Sequence, residues 1–96
     1  MALAFHRAAA ADLDASTLYR ILRLRVDVFV VEQACPYPEL DGRDLDPDAE
    51  LLWASEGDAV LATLRILRDE DAARIGRVVT APPARGDGVG AQLMRQ

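Results

Sequence analysis

The sequence predicts an α/β protein built on a mixed, mainly antiparallel sheet. Three observations carry this. Apolar residues recur at helical spacing from Thr17 to about Val31, short strand patterns parted by tight charged turns run from Leu51 to Thr80, and a strand, a loop and a glycine series follow from Ile75 to Gly90. At 96 residues the chain has room for one small domain, residues 1–96. Such a chain buries roughly 60 to 65% of the surface that its unfolded form exposes.

Leu3–Arg7 reads as a short strand. Asp12–Ser16 then supplies capping chemistry, because the Asp14 or Ser16 side chain can accept hydrogen bonds from the first free helical N–H groups. Leu18, Ile21, Leu22, Val28 and Phe29 recur at three- and four-residue steps, so they share one helical face. The helix should stop before Cys35-Pro36, since proline disfavours helical geometry in the residue before it. Gln33 to Glu50 is a long loop, punctuated by Pro36, Pro38, Gly42 and Pro47, in which six acids accompany a single Arg43. Leu51–Ser55 reads as a strand, Glu56-Gly57-Asp58 as a tight turn, and Ala59–Leu67 as the antiparallel partner. A charged turn, Asp69-Glu70-Asp71, leads to a strand at Arg74–Thr80, and Ala81–Asp87 is a Pro/Gly loop. From Gly88 onward Val89, Leu93 and Met94 are apolar at helical spacing, but the sequence stops at Gln96. A helix that short is marginal without tertiary packing. The sequence therefore reads as the front part of a larger α/β domain, expected to be marginally stable or self-associating on its own.

Composition narrows the function. The chain is 51% hydrophobic and 28% charged, which is globular rather than disordered. Its apolar runs fall short of the roughly 18 residues of a membrane span, and His6 and Arg7 interrupt the apolar start, so no signal peptide is expected. A formal net charge of −5 argues against a nucleic-acid groove or an anionic membrane surface. The single cysteine, Cys35, has no intramolecular disulfide partner, which fits a reducing cytoplasm.

The glycine series carries the most chemistry. After Ile75–Thr80 come Ala81-Pro82-Pro83-Ala84-Arg85-Gly86-Asp87-Gly88-Val89-Gly90. Glycines allow a tight turn and bring N–H groups close to a ligand, and a helix start adds partial positive charge. The unit therefore suits a phosphate or pyrophosphate. A dinucleotide fold wants G-x-G-x-x-G, whereas here the third glycine comes early; a Walker-type loop wants G-K-[ST], and the chain has no lysine. R-x-x-G-x-G does fit, as Arg85, Gly88 and Gly90. It resembles the acyl-CoA pyrophosphate loop of the GNAT superfamily of N-acyltransferases.

Upstream residues extend the likeness. Leu24-Arg25-Val26-Asp27-Val28-Phe29-Val30-Val31-Glu32-Gln33, Cys35-Pro36-Tyr37, Asp41-Gly42, Arg65-Ile66-Leu67 and Ile75-Gly76-Arg77-Val78 are similar to the ElaA-like family of that superfamily, from about Leu18 to Gln92. The Val28-Phe29-Val30 stretch also resembles acyl-homoserine-lactone synthases, whose donor loop departs from R-x-x-G-x-G. The ElaA-like resemblance implies a GNAT fold cut off after the start of the cofactor-loop helix, and acyl transfer, most often of acetyl, from acetyl-CoA to an amine of a small molecule or peptide. It implies donor binding by backbone groups at Val78, Val79 and Thr80, with pyrophosphate held by Arg85, Gly86, Asp87, Gly88, Val89 and Gly90. The family's later strands and its usual general-acid tyrosine position fall after Gln96. No metal is implied, and a homodimer is the assembly considered. A non-catalytic CoA-binding remnant, or an incomplete gene product, is the alternative.

An amine must lose its proton before attack, because its pKa usually lies above neutrality. A carboxylate acting directly or through water does this, and Glu32 is the first choice; a strand N–H near Val79 suits the developing oxyanion. Arg25 falls four residues after Ile21 and three before Val28, on the apolar stripe, where an arginine needs a carboxylate or an anionic ligand. Glu32, three beyond Phe29, continues that face. The two read either as part of an acceptor pocket or as an ion pair tying the helix end to the sheet. Phe29 and Gln33 join that pocket, as do Arg65 and Arg77, for which plain solvated strand arginines are the alternative. Cys35 reads as an inert small hydrophobe, and His6 as a strand residue with a satisfied ring. Asp44, Asp46 and Asp48 match the first EF-hand spacings, but Ala49 and Ser55 stand where glycine and glutamate are required, so calcium is rejected. The Arg85-Gly86-Asp87 adhesion tripeptide is a coincidence.

Overall fold

A run of four buried residues, Leu51-Leu52-Trp53-Ala54, decides the architecture, since a strand buried on both faces must be covered from both sides. The computed structural model describes residues 3–34, 38–69, 72–86 and 88–95. Its elements are β1 (Ala4–Ala8), α1 (Ala15–Val26), β2 (Glu50–Glu56), β3 (Ala59–Asp69), β4 (Ala72–Thr80) and α2 (Val89–Met94). The strands form one sheet in the order β1-β2-β3-β4, antiparallel at every pairing. Cys35, Glu70-Asp71 and Asp87, each given a part above, lie outside the described residues.

Side-chain alternation divides the core into two layers. Leu52 and Ala54 of β2, opposite Leu64 and Ala62 of β3, pack with Ala84 and with Val89 and Leu93 of α2. Leu51 and Trp53 face the other way and pack with Ala10 and with Ile21 of α1. On this α1 side β3 presents Thr63, opposite Trp53, and Arg65, opposite Leu51. Thr63 Oγ1 is satisfied by donating to the Leu52 carbonyl at 2.8 Å. Near the sheet edge His6 stacks on Trp53, centroids 4.9 Å apart, and its Nε2 hydrogen-bonds Ser55 Oγ at 2.9 Å, so the ring is satisfied as expected.

Two local departures from the sequence expectation matter for function. The N-terminus of α1 has Asp14 at the capping position, yet the carboxylate makes no capping bond, and Ser16 lies inside the helix. At the other end the expected helix to Val31 instead widens after Val26 into a π turn, Asp27–Glu32, where Gln33 N–H reaches back to the Val28 carbonyl at 3.1 Å. Val26, Val28, Val30 and Val31 crowd an ordinary helical turn with branched side chains, and widening relieves that crowding. The turn closes at Ala34, whose φ of 51° is left-handed.

The second departure is in β4. Gly76 pairs with Arg65 and Val79 with Thr63, so Arg77 and Val78 stand where β3 has Leu64 alone. This is a β-bulge, and Arg77 within it has a φ of 53°.

Candidate functional site

The loop before β2 and the three arginines flagged above come together. Arg25, 0% exposed, donates from Nε to Glu39 at 2.7 Å and from Nη1 to Asp44 at 2.5 Å. Arg65, 5% exposed, forms a two-pronged contact with Asp41 at 2.9 and 2.8 Å, and its Nη1 lies 3.5 Å from Asp44. Arg77 reaches Glu39 at 3.0 Å and Asp41 at 3.4 Å. Helix α1, strand β3 and the β4 bulge are thereby tied to one acidic loop, whose short 3-10 turn Arg43–Leu45 buries Asp44. The Arg65 guanidinium holds the Asp41 carboxyl far below the usual carboxylate range, and Asp41 in turn raises Arg65.

This corrects the pairing expected for Arg25. Its partners are Glu39 and Asp44 rather than Glu32, because the π turn carries Glu32 off the buried stripe and out to solvent. Arg25, Arg65 and Arg77 all point at carboxylates of the chain itself. Phe29 is half-buried in the π turn, and Gln33 is exposed beyond it. Sequence reasoning had overlooked Glu39, Asp41 and Asp44 as partners. The signal was a charge balance: a loop rich in acids, beside one arginine on an apolar helical stripe and two more within strands.

The second group of residues surrounds the glycine loop. Ala81 N–H donates to the Leu61 carbonyl at 2.7 Å, and a 3-10 turn, Pro82–Ala84, follows, with the prolines at its start where N–H groups are dispensable. Buried Ala84 anchors the turn in the α2-side core. Gly86 and Gly88 have φ of 90° and 75°, a backbone that side chains with a Cβ rarely adopt. At Gly90 the requirement is space, since a Cβ there would sit 3.0 Å from Thr80 Oγ1. The result is a cavity of about 360 Å³ along the loop, bordered by Thr80, Arg85, Gly86, Gly88, Val89 and Gly90. Val89 turns its side chain into the core, leaving its backbone for the cavity side.

Arg85 spans this cavity's edge. Its Nε donates to the Thr80 carbonyl at 3.1 Å, and its Nη2 lies 2.8 Å from Glu32 Oε2. The structure thus brings Glu32 to the glycine loop instead of to Arg25. Val79 is buried on the α1 side, while Val78 in the bulge is exposed. A second cavity, of about 340 Å³, lies at the start of α1 between His6, Asp14, Arg20, Trp53 and Asp58, away from the glycine loop. Among the described residues no group of three or more His, Cys, Asp or Glu is arranged to hold a metal ion, and no helix is long and apolar enough to cross a membrane.

Comparison with known proteins gives this geometry a context. Residues 17–96 match the acetyltransferase (GNAT) family. A UPF0039 protein of Mycobacterium tuberculosis is 50% identical over 98% of this chain, and the match takes in 64% of that relative. The crystal structure of an acyl-CoA N-acyltransferase from Pseudomonas aeruginosa superposes with a TM-score of 0.93 at 46% identity, covering 98% of this chain and 66% of that one. Escherichia coli ElaA superposes with a TM-score of 0.92 at 39% identity, with the same coverage of 98% and 66%. The chain therefore spans 64% of the length of its mycobacterial relative. With its fold and most of its length matched, the chain belongs to the acetyltransferase (GNAT) family.

Proposed function

We propose that the protein transfers an acyl group, acetyl by preference, from acyl-CoA to an amine of a small molecule or peptide. In this reading residues 1–96 belong to a single acetyltransferase unit that works in a reducing, cytoplasmic setting. The observation that carries it is the cavity where Thr80, Arg85 and the loop glycines meet within a family of acyl-CoA-dependent enzymes. Backbone groups of Val78, Val79 and Thr80 bind the pantetheine arm. Pyrophosphate lies against Arg85, Gly86, Asp87, Gly88, Val89 and Gly90, where left-handed glycines let N–H groups approach without side-chain obstruction.

For transfer, the ammonium form of the acceptor first gives a proton to a carboxylate, and Glu32 is the residue assigned to this step. The free amine attacks the thioester carbonyl, a strand N–H near Val79 stabilises the oxyanion, and the C–S bond breaks as CoA leaves, its sulfur taking the second proton that the attacking nitrogen gives up. The acceptor approaches from the π-turn side, past Phe29 and Gln33. Arg25, Arg65 and Arg77 serve that side by fixing the acidic loop in place. Calorimetry with CoA tests the donor half: the chain should bind, and Gly88→Val should lose binding while circular dichroism shows the sheet retained. Unchanged affinity in a folded Gly88→Val variant contradicts the loop assignment. Assay of an amine panel with acetyl-CoA then tests the acceptor half.

A further inference from the structure

The buried arginines keep their partners under any ligand, because parting a desolvated ion pair leaves a bare charge in the interior. Arg85 is different. It and Glu32 form a contact at 2.8 Å with side chains 43% and 42% exposed, and exposed pairs of this kind contribute only about 0–1 kcal/mol. The geometry points to an exchange: Arg85 releases Glu32 and takes the donor's pyrophosphate in its place, so that Glu32 sets donor affinity and is set free by donor binding. The inference rests on the donor site proposed above.

Three features support it. Arg85 lines the cavity, and the bond from its Nε to the Thr80 carbonyl holds the guanidinium beside the loop. A phosphate offers a planar guanidinium more charge and a two-pronged contact, and it outcompetes an exposed carboxylate such as Glu32. If Glu32 stayed, its carboxylate would lie within a few ångströms of the incoming anion, and the repulsion would weaken binding. Glu32 is therefore a competitor in the empty protein. Once displaced, it is a carboxylate without its cation beside the occupied donor site.

The test is titration calorimetry of CoA into the wild-type chain, Glu32→Gln, Arg85→Gln and the double variant, at low and high salt. Glu32→Gln should bind CoA about two- to fivefold more tightly at low salt, in line with the loss of one exposed ion pair. The gain should shrink as salt screens the charges. It should also be smaller in the Arg85→Gln background, where only through-space repulsion remains to be relieved. Dephospho-CoA, which keeps the pyrophosphate and lacks the 3′-phosphate, should show the same gain. Equal CoA affinity in wild type and Glu32→Gln overturns the exchange and leaves the donor site standing. A gain seen with CoA and not with dephospho-CoA overturns the assignment to pyrophosphate. Absence of CoA binding in all four proteins overturns the donor site and the exchange together.

Discussion

The α1 side of the sheet and the glycine loop are both fastened by arginine–carboxylate contacts, and the two sets differ in surroundings more than in length. Arg25–Glu39 and Arg85–Glu32 measure 2.7 and 2.8 Å, yet the first pair is 1% exposed on both sides and the second more than 40%. Distance alone gives them equal standing. Burial separates them, because a desolvated charge that loses a partner gains no water in exchange, whereas an exposed one trades its partner for water, salt or a ligand at little cost. The lesson is that an arginine's part in binding is read from what it can afford to release. By that measure Arg25 and Arg65 belong to the frame and Arg85 belongs to the site.

The largest effect should come from the frame. Arg25→Leu takes the shortest ion-pair partner from the buried Glu39 and Asp44 carboxylates and leaves them the longer contacts with Arg77 and Arg65, which costs about 3–5 kcal/mol. Domains are stable by only about 5–15 kcal/mol, so urea unfolding should show a sharply lowered midpoint or no folded baseline. Arg25→Leu combined with Glu39→Gln and Asp44→Asn should recover part of the loss. No recovery in the triple variant would show that Arg25 stabilises by packing rather than by pairing.

Acid should loosen the charged face next. Glu50 is held down to about 2, from 4.5, by hydrogen bonds from Arg7 and then from Arg68. Asp41 and Asp69 are lowered in the same direction, chiefly by Arg65 and Arg43. A lowered folded-state pKa gives stability that is complete above the unfolded value and is lost as pH falls toward the folded one. For Glu50 the window runs from about pH 4.5 down to about 2. Thermal midpoints should be level near neutrality and fall through that range, and a flat profile down to pH 2.5 contradicts the pairings.

On the exposed side, Glu32→Gln should alter unfolding free energy by less than about 1 kcal/mol. A loss comparable to that of Arg25→Leu would erase the distinction between the two regions. Smallest of all is Ala34→Gly, at the close of the π turn that joins them. Left-handed φ costs a residue with a Cβ roughly 1–2 kcal/mol, and glycine's greater unfolded freedom takes back roughly 0.5–1 of it. A gain of about 0.5–1 kcal/mol is expected, read as a higher melting temperature.

Much of the fold was legible because periodicity reports burial. Leu52 with Ala54, and Leu51 with Trp53, alternate as a strand must, and the helix stripe ran correctly through Ile21 to Val28. The R-x-x-G-x-G spacing also located the cavity-forming residues, since left-handed turns and close approach leave their mark as glycine. What could not be read was which charge meets which. Arg25 was recognisable as buried, but its partners lie 14 and 19 residues away, across a loop of irregular path. Spacing along a helix offered Glu32 instead, and the valine crowding that opens the π turn removed it. The β4 bulge was equally hidden, as Arg77 carries no glycine signal for its left-handed φ.

The most direct test follows the arginine side-chain Nε–H resonances and backbone amides of the labelled chain during titration with CoA. The account predicts that Arg85 and the amides of residues 85–90 shift progressively, while the Nε–H signals of Arg25 and Arg65 stay in place. Shifts at Arg25 or Arg65 with Arg85 unmoved would contradict it, because the buried arginines would then be the ligand site and the glycine loop mere structure.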